Sequence, residues 1–203
     1  MGLVAKQGAS HSFEPAPAGT HLARCVRVID LGTQHNEKFG NTKHQVLVFW
    51  ELPTELDGDA PFIVWRRYTC SIHDKAILGK HLASWRGRPF DPAELEGFEL
   101  KNIVGKPCMV TVVHNTKETT SGKTTYANVN SVAGVIKGMQ VPDQIHPSVI
   151  YDMDNHDQDV FDALPEYIQN TIAKSEERAG TPQERDSVAD QFEAEAPPDD
   201  VPF

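Results

Sequence analysis

The stretch Phe62–Ile72, FIVWRRYTCSI, decides the reading of the fold, because the hydrophobic period changes where it ends. Its β-branched and aromatic residues read as a strand. In Asp74–Trp85 the apolar residues Ile77, Leu78, Leu82 and Trp85 recur at helical spacing, which predicts a helix. Ser71 and Asp74 stand as in a capping box with Asp in the Glu position, and Gly87 and Pro89 end the segment. Upstream, Pro53–Pro61 with Asp57-Gly58-Asp59 reads as a turn and Lys43–Leu52, KHQVLVFWEL, as a strand. A loop, Asn36–Asn41, separates it from a long first strand, Thr20–Gln34, THLARCVRVIDLGTQ. Three strands with short connections form an antiparallel meander.

Downstream, Asp91 reads as the cap of a short turn of helix with Pro92 at its first position. Gly105-Lys106-Pro107 opens a fourth strand, Cys108–His114, and a polar loop, Asn115–Thr124, leads to a fifth, Thr125–Ile136. The order β-β-β-α-β-β predicts a mainly β fold: a five-stranded OB-fold barrel with a helix between strands three and four. Residues 1–19 read as a flexible arm, 20–140 as the barrel domain, 141–178 as a helical extension and 179–203 as a disordered acidic tail. In the extension Val160, Phe161, Leu164, Tyr167, Ile168 and Ile172 keep helical spacing, interrupted by Pro165. The tail holds too little apolar surface to offset its chain entropy.

The formal net charge of −10 counts against a phosphate-rich partner until the chain is divided. Residues 1–140 hold 16 Lys and Arg against 13 Asp and Glu, or +3, whereas residues 141–203 hold 3 against 16, or −13. This asymmetry fits a mildly basic body with an acidic interaction tail. No apolar run approaches the ~20 residues that cross a bilayer, and no leader pattern opens the chain, so a cytoplasmic protein without a membrane partner is expected. Cys25, Cys70 and Cys108 are odd in number and set among apolar residues, which predicts buried thiols.

Strand three interleaves Phe62, Trp65 and Tyr68 with Arg66 and Arg67. Gripping a single nucleic-acid strand needs both kinds of group: rings on which bases stack, worth ~1–3 kcal/mol each, and cations along the phosphates. Period two puts Trp65 and Arg67 on one face and Arg66 and Tyr68 on the other, and only one face can meet a groove. Trp50 in strand two is a further candidate, with a core role as its competing reading. Lys117, Lys123 and Tyr126 lie in and beside the fourth-to-fifth loop, a connection that clasps ligand in OB-folds.

Other chemistry is weakly represented. Ser121-Gly122-Lys123-Thr124 lacks the earlier glycine of a phosphate loop, since Lys117 stands there. Cys70 and His73 have the spacing of half a zinc site, with His81 and Cys108 as conceivable completions, but a second pair is missing, so no metal is expected. Arg86 and Arg88 suit the negative end of the preceding helix, with phosphate contact as a secondary role. No nucleophile, base and orienting group assemble, so neither a cofactor nor an enzymatic activity is expected.

The chain ends on Asp199-Asp200-Val201-Pro202-Phe203. An apolar ring beside a terminal carboxylate and two aspartates suits a small basic pocket on a partner protein. These five residues resemble the acidic tip of bacterial single-stranded-DNA-binding proteins. The body, from Arg67-Tyr68-Thr69-Cys70-Ser71-Ile72-His73-Asp74-Lys75 through Trp85-Arg86-Gly87-Arg88-Pro89-Phe90 to Gly105-Lys106-Pro107-Cys108, resembles the single-stranded-DNA-binding proteins of bacteriophages. That resemblance spans about residues 20–136 and implies an OB-fold that binds single-stranded DNA without marked sequence preference in replication, recombination or repair. It implies recruitment of replication, recombination and repair proteins through the tip, and the host cytoplasm as location. It does not name the stacking side chains, and it leaves a homodimer open. A competing expectation is a decoy whose tip competes for host repair and replication enzymes.

Overall fold

In the computed structural model residues 14–36, 40–119 and 122–179 are described. A long hairpin, β1 (Gly19–Asn36) and β2 (Asn41–Asp57), is followed by β3 (Ala60–Thr69) and helix α1 (Ile77–Arg86). A short α2 (Pro92–Glu96) and a 3-10 turn, Leu100–Ile103, lead to β4 (Pro107–Thr119) and β5 (Gly122–Ala133). Beyond them lie β6 (Val149–Tyr151), α3 (Gln158–Asp162), α4 (Glu166–Ala173) and α5 (Glu176–Ala179). The sheet runs β3-β2-β1-β4-β5 with antiparallel neighbours, and β6 joins β1 in parallel beyond the point where β4 leaves it. The protein is mainly β, and among the described residues no ladder joins the end strands β3 and β5. No helix among these residues is long and apolar enough to cross a membrane.

Strand alternation sorts the apolar residues into two clusters. Ala23, Cys25, Val28, Val46, Val48, Trp50, Val64, Tyr68, Val110, Val129 and Val132 face inward and pack with Leu78 and Leu82 of α1. On the outer face Val26, Ile29, Leu31, Leu47 and Phe49 pack against Tyr151, Leu164, Ile168 and Ile172 of the C-terminal extension. Register shifts at Cys25/Arg27 and Asp30/Gly32 place extra residues, Val26 and Leu31, in β1. Both are fully buried in the outer cluster. Such bulges bend a strand, which curves β1 under the extension.

Several sequence expectations need correction. Ser71 does not cap α1: its Oγ accepts from the His73 amide, and the helix begins after Ala76 with no side-chain cap. The residues after β3 are spent on a local turn, so the helix starts at Ile77, three residues after the expected Asp74. Asp91 does cap α2, in a reciprocal capping box with Glu94. The polar loop expected at Asn115–Thr124 continues the β4–β5 ladder as far as the pair Thr119 and Gly122. Pro165 splits the extension by starting α4, and β6 carries no strand signal longer than Val149-Ile150-Tyr151. Within the expected arm, Ala16 is buried in the inner cluster and its carbonyl accepts from His114 Nε2 at 2.8 Å. The arm's earlier residues 1–13 lie outside the described residues. Cys25 and Cys108 are buried, and burial pushes both thiols up, but Cys70 is exposed where β3 ends.

The extension is fastened to the sheet by polar contacts as well as by its apolar face. Arg24 of β1 donates to the carbonyls of Gly105, Val141 and Pro142. Opposite it in β2, the buried Glu51 carboxylate accepts from the Ile145 and His146 amides and from His146 Nδ1, at 2.7–2.8 Å. Burial alone would raise the Glu51 pKa; these hydrogen bonds outweigh it and hold the carboxyl below its ordinary value. Farther along, Thr33 donates twice to Glu177, and Arg178 donates to Tyr151 and His156.

Candidate functional site

The alternation left open by the sequence resolves on β3. Phe62, Val64, Arg66 and Tyr68 share the inner parity; Ile63, Trp65 and Arg67 share the outer one. Trp50 and Tyr68 are each 2% exposed, and their rings meet edge to face at 6.4 Å inside the core. Rings so enclosed offer no face to a base, so both leave the expected contact set. Phe62 is half-buried against the same inner cluster. Trp65, 36% exposed, is the β3 ring presented outward, with Arg67 two residues along on the same face.

The seam between β3 and β5 is bridged by side chains. Arg66 extends its guanidinium to the Val129 carbonyl of β5 and lies over the Tyr68 ring at 5.6 Å. Arg66 is therefore spent on closing the seam. Deeper in, Tyr68 Oη donates to His81 Nδ1 of α1 at 2.8 Å, and the ring's other nitrogen is bonded to the Asn130 backbone. An imidazole whose Nδ1 accepts from Tyr68 is neutral. Burial chiefly, with the Arg66 charge second, lowers the His81 pKa to about 4. Burial likewise pushes the Tyr68 phenol up, so both groups stay uncharged at neutral pH.

Across the seam, Ala127 and Val129 pack inward, which turns Tyr126 outward on the alternate parity. The ladder pairs Asn115 with Tyr126 and Lys117 with Thr124, and Lys117 Nζ stands 6.0 Å from the centre of the Tyr126 ring. Lys123 has the opposite parity and lies 3.8 Å from Glu118, its cross-strand partner. The three candidates of this hairpin are thus divided: Lys117 and Tyr126 share a face, and Lys123 is turned from them toward a carboxylate. Trp65 and Arg67 therefore stand outward on one bank of the seam, and Tyr126 with Lys117 on the other.

Phe49, which strand-two reasoning passed over, belongs to this site. Its ring faces Trp65 across the β2–β3 ladder with centroids 6.3 Å apart. Phe49-Trp50 is a consecutive aromatic pair within a strand, so one of the two must face outward; that was the available signal.

The remaining expected features are used structurally. Arg86 and Arg88 both bind Glu94, and Arg86 also stacks over Phe90 and Phe98 at 4.5 and 5.1 Å. The Arg88 hydrogen bond is the chief cause that takes the Glu94 carboxyl down to about 2. Cys70, His73, His81 and Cys108 are not gathered: His81 serves Tyr68, His73 pairs with Asp74, and Cys108 is in the core. Among the described residues no group of three or more His, Cys, Asp or Glu could hold a metal. Asp199, Asp200, Val201, Pro202 and Phe203 lie outside the described residues. No protein-family model matches this chain, and no curated protein matches it.

Proposed function

We propose that this protein binds single-stranded DNA without marked sequence preference, along the outward faces of β3 and the β4–β5 hairpin. One observation carries the reading: Trp65 with Arg67, and Tyr126 with Lys117, supply a ring and a cation on each bank of one seam. Stacked bases and tracked phosphates need that pairing. The sheet order, with a helix following the third strand and end strands bridged by Arg66, supports an OB-type architecture left open at β3–β5. In this reading the protein has no catalytic role. The tip Asp199–Phe203 recruits replication, recombination or repair enzymes, and the tail's negative charge keeps that role apart from the mildly basic body.

Titration of the full chain with oligo-dT tests the reading. Of the three tryptophans, Trp50 is enclosed and Trp85 donates its indole N–H to the Pro107 carbonyl at 2.8 Å. Quenching is therefore expected to come from Trp65, to vanish in Trp65→Phe, and to weaken steeply as salt rises. A wild-type protein whose fluorescence ignores oligo-dT at low salt overturns the proposal.

A further inference from the structure

We infer that the C-terminal extension is a working part of the nucleic-acid site, holding Trp65 in position through Phe49. The inference rests on the single-strand reading above. Trp65 has Ile63 and Arg67 as its same-face neighbours along β3 and Phe49 as its partner across the ladder. Phe49, at 6% exposure, is buried in the outer cluster with Leu164, Ile168 and Ile172 of the extension, and Ile63 is packed against that cluster. Two of the three groups around the indole thus belong to, or pack on, the cluster that residues 149–179 complete. The Phe49 and Trp65 planes are tilted by 36°. The buried ring supports one side of the indole and leaves the outward side for a base, an arrangement that reduces the ordering required when a base stacks.

The extension is seated by a tight fit far from Trp65 along the chain. Gly32 has φ +71°, and a Cβ there would stand 2.6–2.7 Å from Met153 Sδ, Ser175 Cβ and a Glu177 carboxylate oxygen. A methyl group at residue 32 must displace Met153 and the start of α5 without touching β3. Phe49 is a positioning residue in this scheme: it meets no DNA itself. Its influence, and that of the seat at Gly32, is felt through the orientation of one indole.

The test uses full-length protein carrying 5-fluorotryptophan, whose three fluorine signals are assigned by Trp-to-Phe variants, with oligo-dT as the probe. Phe49→Ala and Gly32→Ala are expected to shift the Trp65 signal and to weaken oligo-dT binding by ~5- to 10-fold, within the range that a stacked base contributes. Phe49→Leu, which keeps most of the buried volume, should bind within about twofold of the wild type. Gly32→Ala carries the test if Phe49→Ala fails to fold, as judged by its melt. Variants that displace the extension yet bind like the wild type, while Trp65→Ala binds weakly, overturn the inference and leave the single-strand reading standing. A Trp65→Ala protein that binds like the wild type overturns both.

Discussion

The two faces of the sheet are filled by different means, and the contrast assigns the aromatic residues their roles. The inner face is closed by the strands' own side chains and by α1, so Trp50 and Tyr68 are enclosed there and Phe62 is half-buried. The outer face is apolar over β1 and β2, where the extension covers it, and gives way to Trp65 and Arg67 on β3. Trp50 and Trp65 sit in neighbouring strands, yet one is core and the other is a surface ring. Residue type does not separate them. Parity, and the distance the extension reaches across the sheet, does.

The strongest challenge to this contrast is to remove each indole in turn. Trp50→Ala should lower the unfolding free energy by ~3–5 kcal/mol, because it opens a cavity beside Tyr68 in the inner cluster. Trp65→Ala should change stability by less than ~1 kcal/mol and instead cost ~1–3 kcal/mol of oligo-dT binding. Denaturant unfolding and titration of the same two proteins decide the matter; equal losses of stability would erase the distinction between faces.

The inner face also holds a neutral histidine, and pH probes that. The folded pKa of His81, about 4, lies below its ordinary 6.5, so the unfolded chain takes up the proton first as pH falls. Stability is unaffected by this group above 6.5 and declines from there toward about pH 4. The decline attributable to His81 is at most ~2 kcal/mol by about pH 5, and a His81→Asn variant should lose that component. Melting temperatures at neutral and mildly acid pH measure it; an identical pH profile in the variant would show that the Tyr68–His81–Asn130 bridge carries no such penalty.

The smallest effect separates the two sides of the β4–β5 hairpin. Lys117→Gln should weaken oligo-dT binding a few-fold and reduce the salt slope by roughly one. Lys123→Gln should change both less, since Lys123 faces Glu118 on the opposite parity. Equal salt slopes for the two variants would mean that DNA runs along both sides of the ribbon.

Much of the framework is readable in the residues. Val, Ile and aromatic runs locate the five main strands, and the helical spacing of Ile77, Leu78 and Leu82 locates α1. Local chemistry at Asp91 and Glu94 writes its own cap. The β4–β5 ribbon was harder, because Thr, Lys and Asn between Asn115 and Thr124 look like loop residues, while their cross-strand pairing extends the ladder. A three-residue strand such as β6 gives almost no local signal, since it exists only because β1 offers a free edge beyond Arg24. The site was legible as a set of rings and cations. Its division was not: Trp50 and Tyr68 went to the core, Arg66 to the seam and Lys123 to Glu118.

The sequence by itself determined the mainly β character, the strand order up to the helix, and the separation of a mildly basic body from an acidic C-terminal third. Those properties follow from period, propensity and charge, which are local or additive along the chain. Only the tertiary structure decided which parity faces inward, and that Phe49 stands behind Trp65. It also decided that the extension roofs β1 and β2 and leaves Trp65 on β3 uncovered. These depend on contacts between residues far apart in sequence. Alternation is symmetric between two faces until a helix packs on one and an extension on part of the other.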